Sequence, residues 1–235
     1  MLLNASAILT NGFHESEDLG WDKFLVSIGD TFIMLGISLP LIILLGLIIG
    51  MIMYVTSSYY QKQSKITKAI NQVLMVVVSM LRSIPFIILI LAIIPITMAL
   101  MGTFLGWEGA IPALVISATP FYAQIVFNSV TQVSPDIVET AKAMGASPLR
   151  IVWIVIHEAL SPLIRGITIT FISLIGLIAI TGVVGAGGIG QYCQNATKTL
   201  GEDDDWLWLG VATILVIILV VQVVGEIFAR KLDHH

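Results

Sequence analysis

Ser134-Pro-Asp-Ile-Val-Glu-Thr-Ala-Lys-Ala-Met-Gly-Ala-Ser-Pro148 is a polar stretch that lies between two long apolar segments. Its Ser-Pro-Asp start is typical of a helix amino terminus, with an N-cap, a first-turn proline and an acid at the positive end of the helix dipole. Gly145 is typical of the residue that follows a helix, and Ser147-Pro148 begins a second helix in the same way. The stretch therefore predicts two short helices between membrane spans.

The first of these helices, over Pro135–Met144, is too short to be stable alone. Its length is about 15 Å, and isolated helices shorter than about 12 residues are marginal in water. One face carries Ile137, Val138, Ala141 and Met144, and another carries Asp136, Glu139, Thr140 and Ala143. We expect its own spans to hold the helix on one side and a partner to hold it on the other. The pattern alone fits equally well a surface helix that only links two spans.

The rest of the chain is strongly apolar. Hydrophobic residues make up 57% of the sequence and charged residues 11%, whereas soluble domains carry about 25% charged residues. A spanning helix needs about 20 apolar residues, and five segments qualify: Ile33–Val55, Ser83–Trp107, Ala110–Pro135, Gly166–Lys198 and Trp206–Gly225. Ala69–Leu81 extends the second segment, and Arg82 interrupts it. The sequence therefore predicts an all-α polytopic membrane protein with five transmembrane helices.

The positions of Lys and Arg predict the orientation, because basic residues are enriched in cytoplasmic loops. One side collects Lys62, Lys65, Lys68, Lys142, Arg150, Arg230 and Lys231. The other side holds Lys23, Lys198 and the acids Glu15, Glu17, Asp18, Asp22, Glu108 and Glu202–Asp205. The amino terminus is thus predicted outside and the carboxyl terminus in the cytoplasm, with Trp206 and Trp208 at the outer interface.

This orientation divides the chain into an extracytoplasmic segment 1–24, a membrane domain 25–230 with a polar loop 133–160, and a cytoplasmic tail 231–235. No cleaved signal peptide is expected, because the first residues lack a basic region. The terminal Asp-His-His is given no function.

Glu139-Thr140-Ala141, followed by Gly145, resembles the "EAA" loop of ATP-binding-cassette (ABC) importer permeases. Three further stretches resemble the methionine-uptake branch of that family, namely Arg82–Leu89, Ala118–Phe121 and Val184–Gln191. The resemblance covers residues 25–230. Two departures occur: Thr140 stands where the family has Ala, and Ile156-His157-Glu158-Ala159 stands where the family usually has Leu-Pro.

The resemblance implies a permease subunit in the cell inner membrane, surrounded by lipid, that translocates methionine by alternating access. It implies a homodimer, two cytoplasmic ABC ATPase subunits and an extracytoplasmic substrate-binding lipoprotein. It also implies that the short helix is a coupling helix docked on the ATPase. The implied coupling residues are Pro135, Asp136, Glu139, Thr140, Ala141, Lys142, Ala143, Met144, Gly145 and Ala146.

The candidates for the translocation path are Arg82, Ser83, Pro85, Pro120, Gly185, Gly187 and Gly188. A cation within a span is a functional candidate by default. Arg82 could also start the second span and extend its charge to the inner interface, and the sequence favours this interfacial position. The prolines are expected to bend the spans, and the glycines to allow close packing or an irregular end of span four.

No ATPase or hydrolase chemistry is visible in the sequence, which lacks a Walker A motif, so no cofactor is expected in this chain and ATP with Mg²⁺ belongs to the partner. Gly185–Gly190 matches G-x-G-x-x-G, but it lies in a predicted span without a preceding strand. The net charge of −4 argues against a nucleic-acid partner, and the single Cys193 excludes an internal disulfide. Gly46-Leu-Ile-Ile-Gly50 favours close helix packing within or between subunits, or is a chance match.

Two alternatives stay open. The cargo could be another amino acid or a small quaternary amine, since the sequence does not identify pore-lining residues. A self-sufficient channel or secondary transporter would require embedded acids or histidines. The acids nearest to the spans, namely Asp30, Glu108, Glu158 and Glu226, lie toward the span ends, which gives this second alternative little support.

Overall fold

The computed structural model describes residues 19–57, 64–199 and 204–231, and every regular element in these ranges is helical. The helices are α1 (Trp21–Val55), α2 (Lys65–Ser83), α3 (Phe86–Ala92), α4 (Ile94–Met101), α5 (Gly106–Thr131), α6 (Pro135–Ala143), α7 (Pro148–Glu158), α8 (Leu160–Thr181), α9 (Gly188–Ala196) and α10 (Asp204–Lys231). The all-α prediction is confirmed. The acids at 15, 17 and 18, Lys62, Glu202, Asp203 and the terminal histidines lie outside the described residues.

Four of the described helical segments are long and apolar enough to cross a membrane: Trp21–Val55, Gly106–Thr131, Leu160–Val184 and Asp205–Lys231. The pair α2 and α3 passes the same test jointly, but the two helices are bent by 100° at their junction. If this pair is counted as one broken span, the described residues contain up to five membrane spans by length and composition. The first span begins earlier than predicted, because α1 already starts at Trp21.

The prediction of one continuous span over Ser83–Trp107 is wrong. The chain leaves α2 at Ser83, and Ile84 is extended with φ −77° and ψ 122°, as expected for the residue before a proline. Pro85 then begins α3. Gly102 and Gly106 both have φ +74°, so the chain turns again between α4 and α5. The proline and the two left-handed glycines break the segment into short helices.

The prediction of one span over Gly166–Lys198 is also wrong. Helix α8 ends at Thr181, and a 3₁₀ turn over Gly182–Val184 follows. Gly185, Gly187 and Gly188 have φ between +76° and +80°, a region that only glycine enters at little cost. These residues reverse the chain, and α9 packs back against α1, α8 and α10. The expectation that the glycines end span four irregularly is confirmed.

Helix α5 is the centre of the molecule and packs most extensively against α1. In the most apolar 18-residue stretch of α5, 67% of the residues are buried, whereas in the corresponding stretch of α10 only 6% are buried. A Cβ on Gly46 would lie 2.7 Å from Tyr122 Cδ1, and one on Gly50 would lie 2.7 Å from the Ala123 carbonyl oxygen. The small-xxx-small motif therefore joins α1 to α5 within one chain.

An aromatic cluster joins the start of α1 to α9 and the start of α10. The ring centroids of Trp21 and Trp206 are 5.3 Å apart, and those of Phe24 and Tyr192 are 5.4 Å apart. Trp208 is exposed. Tryptophan and tyrosine favour the membrane–water interface, so this cluster fits one interface of the bundle.

Candidate functional site

Helix α6 occupies Pro135–Ala143, with Ser134 as its N-cap residue. The Ser134 side chain does not bond to a backbone N–H of the helix, and instead its hydroxyl donates to Asp136 Oδ2 at 3.4 Å. The helix end is more tightly fixed. Gly145 has φ +74°, and the amides of Gly145 and Ala146 donate to the carbonyl oxygens of Lys142 and Ala141, each at 3.0 Å. This double closure is a Schellman motif.

Helix α6 rests on α7 through a small apolar contact. Val138 and Ala141 are buried in α6, and Ile151 and Val155 are buried in α7. Met144 does not lie on this buried face, because it is the C-cap residue, where the chain leaves the helix, and 75% of it is exposed. The expectation that Met144 shares the apolar face with Val138 and Ala141 is therefore wrong.

The side of α6 and α7 that faces away from the rest of the chain is an exposed surface of mixed apolar and charged character. Met144, Leu149 and Trp153 are exposed by 75%, 83% and 64%. The Trp153 ring is stacked on the His157 ring, with centroids 5.3 Å apart. The exposed polar residues around them are Asp136, Glu139, Thr140, Lys142 and Arg150. We call these residues, together with Met144, Leu149 and Trp153, the docking surface, because exposed apolar groups rimmed by polar ones are typical of protein interfaces.

The docking surface is connected to the spans without an intervening loop. Ala159 is both the C-cap of α7 and the N-cap of α8, and it is buried. Two residues later, the Ser161 hydroxyl donates to the carbonyl oxygen of Ala229 in α10 at 3.1 Å. Farther along the same two helices, Arg165 and Glu226 form an ion pair of 3.8 Å. The α7 end is thus fixed to both α8 and α10.

The structure separates the predicted path residues into two groups. Arg82, Ser83 and Pro85 lie at the bend between α2 and α3. The Arg82 guanidinium is 5.7 Å from the centroid of the Phe121 ring, and Phe121 directly follows Pro120 in α5. The Ser83 hydroxyl donates back to the Ser79 carbonyl oxygen.

The second group, Gly185, Gly187 and Gly188, lies at the start of α5. The Gly106 amide donates to the Gly185 carbonyl oxygen at 3.0 Å. A Cβ on Gly187 would meet Asp30, and one on Gly188 would meet Met34 and Thr31. Gly106 and Phe121 are about 22 Å apart along the helix, so the glycines do not share one site with Arg82.

Residues 46–234 match the family described as the binding-protein-dependent transport system inner membrane component. The chain belongs to this family. Its members are permease subunits of transporters, and the resemblance seen in the sequence is confirmed.

Curated relatives of this permease cover most of its length. A probable D-methionine transport system permease protein, MetI of Pasteurella multocida, is 34% identical over 91% of this chain and 97% of its own. The methionine import system permease protein MetP of Bacillus subtilis is 37% identical over 71% of this chain and 75% of its own.

Solved transporter structures share the fold of this permease. An inward-facing MetNI methionine ABC transporter has a chain that superposes with a TM-score of 0.85 and 31% identity, covering 93% of this permease and 100% of that chain. A crystal structure of an amino acid ABC transporter with histidines has a TM-score of 0.70 at 20% identity, covering 89% and 94%. The second likeness concerns the fold alone.

The sequence reasoning did not find the polar face of α5. Gln124, Asn128 and Gln132 follow each other at intervals of four residues, and we call them the amide face. The Gln124 side-chain amide donates to Asn128 Oδ1 at 2.9 Å, and that of Gln132 donates to the Asn128 carbonyl oxygen at 3.1 Å. The i, i+4, i+8 spacing of amides in an apolar helix is the signal that could have identified this face.

Two concave regions lie elsewhere in the described part of the permease. An apolar cavity of about 200 Å³ lies between α3, α4 and the start of α5, and its lining includes Thr97, Phe104 and Gly109. A wider groove of about 700 Å³ lies between α8 and α10, with Arg165, Glu226 and Arg230 among its lining residues.

The glycine-rich stretch that matches G-x-G-x-x-G has a structural role in the described part of the permease. The Gly185–Gly190 stretch forms the reversing turn and the first turn of α9, where Gly188 and Ile189 are buried. The Ile189 amide is already bonded to Thr31 Oγ1 at 2.9 Å. In the ranges 19–57, 64–199 and 204–231 no group of three or more His, Cys, Asp or Glu could hold a metal ion.

Proposed function

We propose that this chain is the membrane-spanning permease subunit of an ABC importer for methionine. Two copies form the membrane part, two cytoplasmic ATPase subunits bind ATP with Mg²⁺, and an extracytoplasmic binding protein delivers the amino acid. The names of the curated relatives and the fold shared with a methionine transporter support the cargo. The protein lies in the cell inner membrane with its amino terminus outside.

The observation that carries the mechanism is the docking surface and its rigid connection to the spans. An ATPase subunit binds α6 and α7 through Met144, Leu149 and Trp153, which are the most exposed apolar residues of this pair. Movement of the ATPase displaces α6, and the buried contact with α7 carries the displacement to Ala159. Because α8 starts there and is bonded to α10, both spans move with α7.

Alternating access requires that the partner bind one conformation more tightly than the other. To shift the two conformations from a ratio of about 1:99 to about 99:1, the partner must bind the favoured conformation about 5.5 kcal/mol more tightly than the other. A single exposed ion pair, at about 0–1 kcal/mol, is too weak for this. A desolvated apolar contact suffices in principle, because a few central residues at about 2 kcal/mol each can dominate an interface.

The proposal is tested by purifying the tagged chain in a mild detergent and then reconstituting the complex in proteoliposomes. We expect an ATPase subunit to co-purify in equal amount, and we expect methionine uptake to require ATP inside the cytoplasmic compartment. Hydrolysis is expected to rise when methionine-loaded binding protein is added. Uptake by the chain alone, without ATP, would contradict the proposal and favour a self-sufficient transporter. Stimulation by a different amino acid or a quaternary amine would correct the cargo.

A further inference from the structure

We propose that Arg82 and the amide face of α5 form a binding site for a free amino acid, on a water-accessible path between two copies of the chain. Arg82 binds the carboxylate, and the side-chain oxygens of Gln124 and Asn128 accept hydrogen bonds from the ammonium group. The inference rests on the proposed transport function, and it names residues that contact the cargo within the membrane domain.

The first step concerns the depth of Arg82. Phe121 lies about 22 Å from the start of α5 and about 15 Å from its end, because the helix runs from Gly106 to Thr131. The Arg82 guanidinium is 5.7 Å from the Phe121 ring centroid. The cation is therefore near the middle of a spanning helix. This depth disfavours the interfacial position that the sequence favours for Arg82.

The second step concerns the cost of a charge at this depth. Arg82 is exposed, and no described carboxylate forms an ion pair with it, whereas Arg165 and Arg230 both pair with Glu226. Placing an arginine at the centre of a bilayer costs at least about 2.5–3.5 kcal/mol. An exposed cation–π contact contributes only about 0.5–1 kcal/mol. The contact with Phe121 does not offset the cost, so Arg82 is expected to face water.

The third step concerns the surroundings of Arg82. Most of α5 is buried against α1 and α8, but Phe121 and Gln124 are half-buried, and Asn128 and Gln132 are exposed. Amides that face hydrocarbon are unfavourable, and polar residues within spans face a bundle interior or a water-filled cavity. A second copy of the chain opposite this face provides such a cavity. The amide face then continues from mid-span to the carboxyl end of α5, beside α6.

The fourth step concerns the ligand. A guanidinium offers a planar fork of donors that matches a carboxylate. Gln124 lies one helical turn beyond Phe121, with the two Cβ atoms about 5–6 Å apart, and we place the ammonium group at its amide when the carboxylate is at Arg82. Asn128 Oδ1 accepts one hydrogen bond from Gln124, and a carbonyl oxygen can accept a second. A zwitterionic α-amino acid fits this order of groups, while a quaternary amine without a carboxylate leaves Arg82 unpaired.

Cysteine labelling tests the site in the intact complex. The background is Cys193→Ala, since Cys193 is the only cysteine. Gln124→Cys and Asn128→Cys report on the path, and the control is Val220→Cys in α10, which is 57% exposed and lies outside the polar groove between α8 and α10. With a charged methanethiosulfonate reagent, we expect the two path variants to react at least tenfold faster than the control. Equal rates would overturn the water-accessible path.

Protection by ligand tests the carboxylate. In a Gln132→Cys variant, which keeps Arg82, Gln124 and Asn128 and labels the exposed next turn of the amide face, millimolar L-methionine is expected to slow labelling several-fold, whereas methioninol, which has a hydroxymethyl group in place of the carboxylate, is not. Adding Arg82→Gln should abolish this protection, Arg82→Lys should keep part of it, and Lys65→Gln at the other end of α2 should leave it unchanged. Protection that survives Arg82→Gln would overturn the site. If uptake is ATP-driven and labelling is unaffected by methionine, the site fails while the transport function stands.

Discussion

The Ser161 hydroxyl bonds to the carbonyl oxygen of Ala229 at 3.1 Å, and Ser161 is buried where the two helices meet. This bond ties the start of α8 to the last turns of α10. Among the hydrogen bonds described above it is the one that couples the two spans leading away from the docking surface. Because the donor and the acceptor are buried, its loss leaves a polar group without a partner.

Ser161→Ala is therefore expected to lower the free energy of unfolding by about 1–3 kcal/mol, the cost of an unsatisfied buried acceptor. We also expect fewer methionine molecules to be transported per ATP, because α10 follows α8 less closely. Thermal unfolding in detergent and the uptake-to-hydrolysis ratio measure the two effects. Ser134→Ala is the control, since the Ser134 hydroxyl caps no backbone N–H of α6. Equal behaviour of both variants would argue against a role for the α8–α10 bond.

Gly145→Val is expected to disrupt the end of α6. No atom lies within 4 Å of a Cβ placed at Gly145, so the obstacle is φ +74° rather than a clash. A left-handed backbone costs an ordinary residue about 1–2 kcal/mol, and a β-branched residue more. We expect ATP hydrolysis without matching uptake, which a coupled transport assay detects.

Gly145→Asn separates the backbone effect from the loss of glycine itself. Asparagine enters the left-handed region more readily than valine, so this variant should keep most of the coupling. Gly176→Ala is a second control, because the helical Gly176 has no neighbour within 4 Å of a Cβ. If the Asn variant were as inactive as the Val variant, the left-handed backbone conformation would not be the reason why glycine is needed at position 145.

Gly50→Val is expected to separate α1 from α5. A Cβ at Gly50 would lie 2.6 Å from Val126 Cβ and 2.7 Å from the Ala123 carbonyl oxygen, and a backbone atom cannot move aside as a side chain can. Overpacking of this kind costs about 1–3 kcal/mol or more. A lowered unfolding temperature in detergent is the expected readout. Gly36→Ala in the same helix, with no neighbour within 4 Å, should not lower it.

Leu149→Asp is expected to release the ATPase. Leu149 is 83% exposed on the docking surface, so the substitution should not disturb folding of the free permease. A negative charge in place of the most exposed apolar side chain of the docking surface should reduce the co-purified ATPase by at least tenfold, which corresponds to about 1.4 kcal/mol. Leu149→Met keeps an apolar side chain and should retain the ATPase. Undiminished co-purification of Leu149→Asp would move the interface away from this surface.

The sequence predicted three of the five spans and α6 well, because these elements depend on local signals. Apolar length identifies a spanning helix whatever it packs against, and Ser134-Pro135 with Gly145 marks a helix start and end within one short stretch. The sequence predicted a kink at Pro85. The length of an apolar segment does not tell in which direction the chain continues, so the 100° angle between α2 and α3 could not be predicted. The return of α9 depends on Thr31, which is 158 residues away in sequence.

The amide face was missed for a related reason. Gln124, Asn128 and Gln132 become informative only when the rest of α5 is known to be buried, and burial is a property of the whole bundle. Arg82 shows the same limit. Its position at the predicted start of the second span suggested an interface, and the proposed depth rests on its contact with Phe121 in the folded chain.

Ala159 ends one helix and starts the next, so the junction of α7 and α8 has no flexible chain. The end-to-end distance of a flexible linker fluctuates with the square root of its length, and such fluctuation would absorb a small displacement before it reached the membrane. Between α7 and α8 the linker is a single residue, Ala159, which caps both helices. A shift of about an ångström at the docking surface would therefore not be averaged away by chain entropy, and under the proposed mechanism it would reach α8 as a change in tilt.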